Sequence, residues 1–215
     1  MHSPQSFDSA ESAAIIEAGR QVVKAEAASV AAVAAALDQS FVDAVHLVQS
    51  RRGKVITVGS GTSATVARRT AHLLSVSGTP ALFLHAMDAL HGSVGAIEPD
   101  DLVIAFSKGG ESDELNQLCA LVREQNTQII AVTEAPTSTF ASLATLVCEL
   151  HTGEGADPGN VLAMGSTLVS GVWADALAQV LMRLAREPWE QTLKRHPAGA
   201  VGHRSEVPAE LDPIE

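Results

Sequence analysis

The feature that most constrains this chain is a repeated alternation of short apolar runs with longer segments of helical spacing. Short runs rich in Val, Ile, Leu and Ala predict buried strands, and a helix between successive strands predicts parallel pairing with right-handed crossovers. We therefore expect an α/β protein, a three-layer αβα sandwich around a five-stranded parallel sheet. The strands are predicted at 54–58, 81–84, 102–106, 128–132 and 146–150.

Helical patterns account for most of the remaining sequence. Residues 10–37 are rich in alanine and carry apolar residues at helical spacing, which favours a packing or dimer element over a support for a coenzyme. We expect one folded domain over 9–203, with a disordered leader at 1–8 and a disordered tail at 204–215. The helices are predicted at 10–37, 39–49, 64–77, 111–125, 136–143, 161–184 and 188–196.

The bulk composition narrows the class of protein. With 215 residues, 46% of them hydrophobic and only 18% charged, the chain suits a compact domain rather than a disordered one. The net charge of −11 argues against nucleic acid as a partner, because phosphate backbones select clustered Lys and Arg. It leaves a small phosphorylated ligand open, since a single pocket can be locally positive.

The cysteines and the apolar stretches indicate the compartment. Cys119 and Cys148 lie in apolar runs without metal-ligand spacing, and we expect them to be buried structural thiols. The sequence shows neither a signal-peptide pattern nor an apolar stretch long enough to cross a bilayer. The expected location is the cytoplasm, with no membrane partner and no metal site.

The first predicted strand runs into a glycine turn, Gly59-Ser-Gly61, and then into a helix. Thr62 or Ser63 is expected to cap that helix. Such a turn directs N–H groups and hydroxyls at one point, where the positive end of the helix dipole suits a phosphate. The alternative is a turn without a ligand, because neither a Walker lysine pattern nor a full dinucleotide fingerprint is present.

More polar residues follow the other strands, and the carboxyl ends of parallel strands meet at one edge of a sheet. Ser107, Lys108 and Ser112 form a second candidate anion site, in a segment with two glycines before a helix. Hydroxyls, acids and histidines gathered at one edge suit proton transfer on a phosphorylated substrate. Taken singly, each has a structural alternative as a helix cap, a dipole partner, a solvated acid or an internal hydrogen bond. The other candidates at this edge are His85, His91, Glu111, Glu154, Ser166 and Thr167.

These segments resemble the sugar isomerase (SIS) domain family, and within it the arabinose-5-phosphate isomerases. The resemblance covers roughly residues 40–202, and the order and spacing of its Gly-Glu-Ser-x-Glu and His-Pro-x-Gly-x-x-Gly segments make it fairly specific. The matching segments are Val58-Gly-Ser-Gly-Thr-Ser63, His85 with His91-Gly-Ser-Val-Gly95, Ser107-Lys-Gly-Gly-Glu-Ser-Asp-Glu114, Gly165-Ser-Thr167 with Asp175-Ala-Leu177, and His196-Pro-Ala-Gly-Ala-Val-Gly202.

The resemblance implies a flavodoxin-like sheet, a homodimer or homotetramer with shared sites, and isomerisation of aldose and ketose phosphates without metal or organic cofactor. The reaction expected is interconversion of arabinose 5-phosphate and ribulose 5-phosphate through a cis-enediol. Glu111, Glu154, His91 and His196 are assigned to catalysis, and the choice of carbon base between the two glutamates stays open. By motif position, Ser63, Ser107, Ser112, Ser166 and Thr167 hold the phosphate or sugar, and the glycine turn and a positive charge add Gly61, Thr62 and Lys108.

This sequence departs from the family pattern at two positions. Thr62 stands where the isomerases usually carry a lysine, and Lys108 stands where they carry an asparagine. Either Lys108 substitutes for the missing charge, or the substrate or activity differs. Many relatives continue into paired cystathionine-β-synthase domains, whereas this chain ends at Glu215, so no regulation through such modules is expected. The main alternative function is a phosphosugar sensor that binds without turnover; a pure scaffold would leave the hydroxyls unexplained.

Overall fold

A five-stranded parallel sheet forms the centre of the computed structural model, which describes residues 7–204 and 206–214. The predicted leader therefore lies mostly outside the described residues. Every pair of neighbouring strands is parallel, in the order β2-β1-β3-β4-β5. The predicted strands are confirmed to within one residue at each end. Their bounds are β1 Val55–Gly59, β2 Ala81–His85, β3 Leu102–Phe106, β4 Gln128–Thr133 and β5 Leu146–Glu149.

Helices cover both faces of this sheet and complete the predicted three-layer α/β sandwich. One face packs against α1, α2, α3 and α7, and the other packs against α4, α5 and α6. The helices are α1 Ser9–Ala36, α2 Gln39–Ser50, α3 Thr62–Val76, α4 Ala86–Leu90, α5 Asp113–Glu124, α6 Thr139–Leu143, α7 Gly165–Leu184, α8 Trp189–Arg195 and α9 Gly199–Gly202.

The central strands are buried on both faces, which explains why they read as continuous apolar runs. Successive side chains of β3 alternate, so Ile104 and Phe106 enter one core while Val103 and Ala105 enter the other. In the first core, Trp173 of α7 lies edge-to-face against Phe106, with ring centroids 6.4 Å apart. This packing fixes α7 across the sheet.

The amino edge of the sheet is held by one buried ion pair. The Lys54 ammonium lies 2.7 Å from Oδ2 of Asp101, whose carboxylate also accepts hydrogen bonds from the backbone N–H groups of Lys54 and Glu98. Burial alone would raise the pKa of Asp101, but these hydrogen bonds outweigh it and lower that pKa. The pair therefore ties the start of β1 to the start of β3.

The first helix begins with a capping box, in which Asp8 accepts from the Glu11 N–H and Glu11 accepts from the Asp8 N–H. Only its carboxyl-terminal part packs on the domain, where Ser29 and Val33 are buried. Among the described residues, no single helix combines the length and the hydropathy needed to cross a membrane. The helices α1 and α2 meet both requirements only when they are taken together, and the pair is bent by 76°. The apolar residues that α1 leaves exposed are Ile15, Ile16, Val22 and Val23.

The last long helix begins later than the sequence predicted. A start near 161 was expected, but α7 begins at Gly165, after a 3-10 turn at Pro158–Asn160. Gly159 and Asn160, with φ angles of 62° and 55°, end this turn just before the expected start, and residues 161–164 remain outside α7, with the Met164 N–H donating to the Asp157 carboxylate at 2.8 Å. Residues 157–164 thus form a separate loop segment at the carboxyl edge.

The described residues of the predicted tail, 204 and 206–214, contain no helix or strand, and two side chains of α7 and α8 bind their backbone. The Trp189 indole donates to the Ala209 carbonyl at 2.9 Å, and Arg183 Nε donates to the Asp212 carbonyl at 2.7 Å. The expected disorder of 204–215 stays a prediction.

Candidate active site at the carboxyl edge of the sheet

The turn after β1 brings the start of α3 close to the strand. A Cβ on Gly59 would lie 2.7 Å from the Ser63 carbonyl oxygen, so this approach requires glycine. Gly61, with a φ of 54°, is the N-cap residue, and it provides no side-chain cap. The prediction that Thr62 or Ser63 caps α3 was wrong, because both already lie in its first turn. The first N–H groups of α3 thus lack a side-chain cap, which suits an anion.

The loop after β3 makes the second wall of the site. The buried Ser107 hydroxyl accepts from the Gly110 N–H at 3.1 Å, and Gly110 has a φ of 71°. Glu111 precedes α5 rather than occupying its first turn as expected, and its Oε1 accepts from the Thr139 N–H at 2.9 Å. Ser112 is the N-cap of α5 but makes no side-chain capping bond, so its hydroxyl remains available to a ligand.

A cavity of about 460 Å³ lies between the two loops, at the amino ends of α3 and α5. This volume is within the range of small-molecule sites, and two helix N-termini make it favourable for an anion. Seven of the predicted site residues line it: Gly61, Thr62, Ser63, Ser107, Lys108, Glu111 and Ser112. It is also lined by Ser60, Gly109, Gly110, Glu114 and Ala163, which the sequence-based assignment left out.

Glu114 is the most informative of the missed residues. The Ser60 hydroxyl donates a hydrogen bond to its Oε1, and this bond lowers the pKa of the Glu114 carboxyl, with His85 acting in the same direction. His85 is positioned at the N-cap of α4, where its Nδ1 accepts from the Met87 N–H at 3.3 Å. Ser60 and Glu114 both lie in segments that match the family motifs, but only the packing of α5 beside the turn after β1 shows that these two side chains meet.

Comparison with known proteins identifies the family. The profile of the SIS domain matches residues 46–179, more than half of the chain. The chain belongs to the SIS domain family.

Relatives and solved structures agree with this SIS assignment. The arabinose 5-phosphate isomerase KdsD of Pseudomonas aeruginosa is 33% identical over 189 residues, which cover 88% of this chain and 58% of KdsD. The chain thus spans about three-fifths of the length of this curated relative.

Two solved structures cover nearly all of the domain. A candidate sugar-phosphate isomerase from Listeria monocytogenes str. 4b F2365 superposes with a TM-score of 0.84 and 29% identity, over 90% of this chain and 100% of that one. The Escherichia coli CFT073 protein c3406, solved in complex with arabinose 5-phosphate, superposes with a TM-score of 0.83 and 27% identity, over 89% of this chain and 100% of that one.

In this SIS domain, the lysine of the cavity is engaged by a carboxylate. Lys108 Nζ lies 2.7 Å from Oδ2 of Asp157 and 2.5 Å from Oδ1 of Asn160. Oδ1 of Asp157 accepts from the N–H groups of Met164 and Ser166, at 2.8 and 3.1 Å. Burial would raise the pKa of Asp157, but these bonds lower it to about 2. Asp157 therefore occupies the N-terminus of α7.

The predicted ligands Ser166 and Thr167 do not line the cavity. The Ser166 hydroxyl is buried without a hydrogen-bond partner among the described residues, and the Thr167 hydroxyl donates to the Met164 carbonyl at 2.6 Å. Glu154 is exposed and also lies outside the cavity, in a loop that bonds to α1 through the Gly153 N–H and the Ser29 hydroxyl, 3.0 Å apart.

The two predicted catalytic histidines of the SIS domain are likewise outside the cavity. His91 is exposed at the end of α4. His196 follows α8 and packs against His72 of α3, with ring centroids 5.6 Å apart. Within one chain, the cavity therefore contains one of the four predicted catalytic residues, Glu111.

Proposed function

We propose that this protein is a phosphosugar aldose–ketose isomerase, acting on arabinose 5-phosphate and ribulose 5-phosphate. The observation that carries the proposal is the cavity itself, in which a glutamate faces the same space as two uncapped helix N-termini and several hydroxyls. The similarity of the chain to KdsD and to c3406 also supports a phosphosugar isomerase. No metal or organic cofactor enters the proposal.

The phosphate binds between the two loops. N–H groups at the starts of α3 and α5 carry partial positive charge and can each donate to a phosphate oxygen. The hydroxyls of Ser63, Ser107 and Ser112 complete this cradle, with Gly61 and Thr62 supplying backbone at the turn. Because Thr62 replaces the usual lysine, phosphate binding depends on these neutral hydrogen-bond donors.

The reaction needs a base beside the carbonyl group of the open-chain sugar. One carboxylate, Glu111 or Glu154, removes the proton from C1 of the ketose, which gives a cis-enediolate, and the proton returns at C2 to form the aldose. A histidine, His91 or His196, moves the hydroxyl proton and helps to open the ring. Oε2 of Glu111 has no hydrogen-bond partner among the described residues, so this oxygen is free for the transfer.

A second copy of the chain completes the site. The cavity of a single chain does not include the predicted catalytic residues Glu154, His91 and His196, nor the predicted ligands Ser166 and Thr167. We assign at least His196 to the cavity of a neighbouring chain. The exposed apolar residues of α1 are available for such an assembly. Light scattering on the purified protein is expected to give the mass of a dimer or tetramer.

Subunit mixing tests this arrangement directly. Glu111→Gln and His196→Asn are each expected to be inactive, whereas a refolded mixture recovers roughly a quarter of the parental activity, because half of random dimers hold one intact site. The control mixture of Glu111→Gln with Ser107→Ala should show no more than the mean activity of the two variants measured separately, since both residues line the cavity of one chain. Failure of the first mixture to recover activity rejects the shared site.

The decisive experiment is incubation with ribulose 5-phosphate in D₂O, followed by NMR. An isomerase incorporates deuterium at C2 of the arabinose 5-phosphate that forms. If the protein is instead a phosphosugar sensor, the sugar phosphate raises the melting temperature without exchange, and Thr62 in place of the usual lysine fits that second candidate. If neither deuterium exchange nor a rise in melting temperature is observed, both functions are rejected.

A further inference from the structure

The ion pair between Lys108 and Asp157 joins two loops that the sheet itself does not connect. Lys108 follows β3, whereas Asp157 lies in the loop between β5 and α7. The Asp157 side chain is only 4% exposed and the Lys108 side chain 26%, so water screens this pair weakly. A contact of this kind restrains the loop more strongly than a surface pair would.

Both oxygens of Asp157 are used, and each holds a different element. Oδ2 accepts from Lys108, while Oδ1 accepts from two backbone N–H groups at the start of α7. The carboxylate thus takes the place at this helix N-terminus that an anionic ligand could otherwise take. Asn160 adds a second acceptor to the same ammonium, three residues farther along the loop.

The loop held in this way contributes to the cavity. Ala163 lines the cavity, and it lies between Asn160 and the backbone of Met164, both of which the ion-pair network holds. A shift of this segment would therefore change one wall of the site without touching the hydroxyls that face the phosphate.

We propose that Lys108 is a positioning residue, which with Asp157 and Asn160 fixes residues 157–164 as a wall of the cavity, rather than a ligand of the phosphate. The proposal rests on the proposed function for its effect on turnover, but its structural part stands independently. It also accounts for the departure from the family at this position, because the lysine charge is balanced inside the domain and the anion site stays with the two helix N-termini.

The test compares Lys108→Met, Asp157→Asn and the double variant with a matched control, Lys54→Met. Lys54 forms an ion pair of the same length with Asp101 at the far edge of the sheet. The double variant removes both charges, so it keeps the test valid if Lys108→Met leaves Asp157 unpaired and folds poorly. Three measurements are made: hydrogen exchange of residues 157–164, affinity for inorganic phosphate by calorimetry, and kcat and KM for ribulose 5-phosphate.

If the ion pair fixes the loop, the rate of amide hydrogen exchange within 157–164 should rise at least fivefold in the double variant, but not in Lys54→Met. Phosphate affinity of Lys108→Met should stay within threefold of the parent. The kcat of each single variant should fall about tenfold, with no further fall in the double variant, since both act through one contact.

Two results would overturn the proposal. One is a tenfold or greater loss of phosphate affinity in Lys108→Met, which would make the lysine a ligand. The other is unchanged exchange over 157–164 in the double variant. If the parent protein shows no turnover, the proposed isomerase function fails, and the exchange and phosphate measurements still decide the role of Lys108.

Discussion

Two lysine–aspartate pairs at opposite ends of the sheet are nearly identical in geometry and differ in what surrounds them. Lys54–Asp101 and Lys108–Asp157 both have an N–O distance of 2.7 Å, and in both the aspartate is almost fully buried. The first ties the starts of two neighbouring strands, where the register of the sheet already fixes both. The second ties two loops across a cavity, so we expect it to matter for function as well as for stability.

The comparison shows that the geometry of a buried ion pair does not reveal its function, which depends on the residues around it. At the amino edge, Gly53 packs so closely that a Cβ would lie 2.8 Å from the Asp100 carbonyl oxygen. At the carboxyl edge, strands end in glycine turns and helix N-termini, which leave a cavity between them. The predictions that follow contrast matched residues at the two edges.

The largest effect is expected for the candidate base. Glu111→Gln should lower kcat by about 10²–10⁴-fold, because a positioned general base contributes on that scale. Glu154→Gln should lose activity to a similar extent if it contributes to the same reaction. Glu98→Gln, an exposed glutamate at the amino edge, is the control and should retain parental activity. Parental turnover in both Glu111→Gln and Glu154→Gln would remove the proposed catalytic carboxylates.

The next effect concerns the glycine at each edge. A Cβ on Gly110 would lie 2.0 Å from the Ser138 hydroxyl, at a φ of 71°, and a Cβ on Gly53 would lie 2.3 Å from Oδ1 of Asp101. Both alanine variants should lose about 2–4 kcal/mol of unfolding free energy in urea, through steric strain.

Phosphate binding should separate the two glycine variants. Gly110→Ala displaces the loop that forms the cradle and should lose calorimetric phosphate binding, whereas Gly53→Ala should keep it as long as the protein is folded. Equal loss in both would show that the two edges are not functionally distinct.

Acid unfolding gives a smaller effect with a defined sign. The pKa of Asp157 is about 2 in the folded chain, below its ordinary value of 3.8, so its ionised form stabilises the fold above pH 4. That contribution, about 2 kcal/mol, is lost as the pH falls from about 4 to 2. Asp157→Asn should lack this part of the acid-induced loss in denaturant titrations at each pH. A variant with the same pH dependence as the parent would contradict the lowered pKa.

The smallest effect is expected at Ser60. Removing its hydrogen bond in Ser60→Ala should raise the pKa of Glu114 toward 4.5, observable by NMR titration, with a stability change of about 0.5–1.5 kcal/mol. Thr127→Val is the amino-edge counterpart, because Thr127 donates to the Glu98 carbonyl at 3.1 Å. It should cost a similar amount of stability without changing the titration of Glu114.

The strands were predictable because each is a short run of apolar residues, a pattern that depends only on local sequence, and the three central strands are buried on both faces. The glycine turn after β1 was predictable for a similar reason, although its cap was assigned to the wrong residues. The start of α7 was not, since residues 161–164 are apolar enough to continue a helix, whereas in the structure they lie outside α7 and the Met164 N–H donates to the Asp157 carboxylate.

The sequence by itself determined the α/β sandwich, the order of its elements and the edge at which polar residues gather, because hydrophobic periodicity and turn chemistry act over a few residues. Only the tertiary structure decided which polar groups meet: Ser60 with Glu114, Lys108 with Asp157, and His196 with His72 rather than with the cavity of its own chain. These pairs join residues between 49 and 124 positions apart, as Lys108 to Asp157 and His72 to His196 illustrate. Their contact follows from how helices and loops pack on the sheet, which no local pattern encodes.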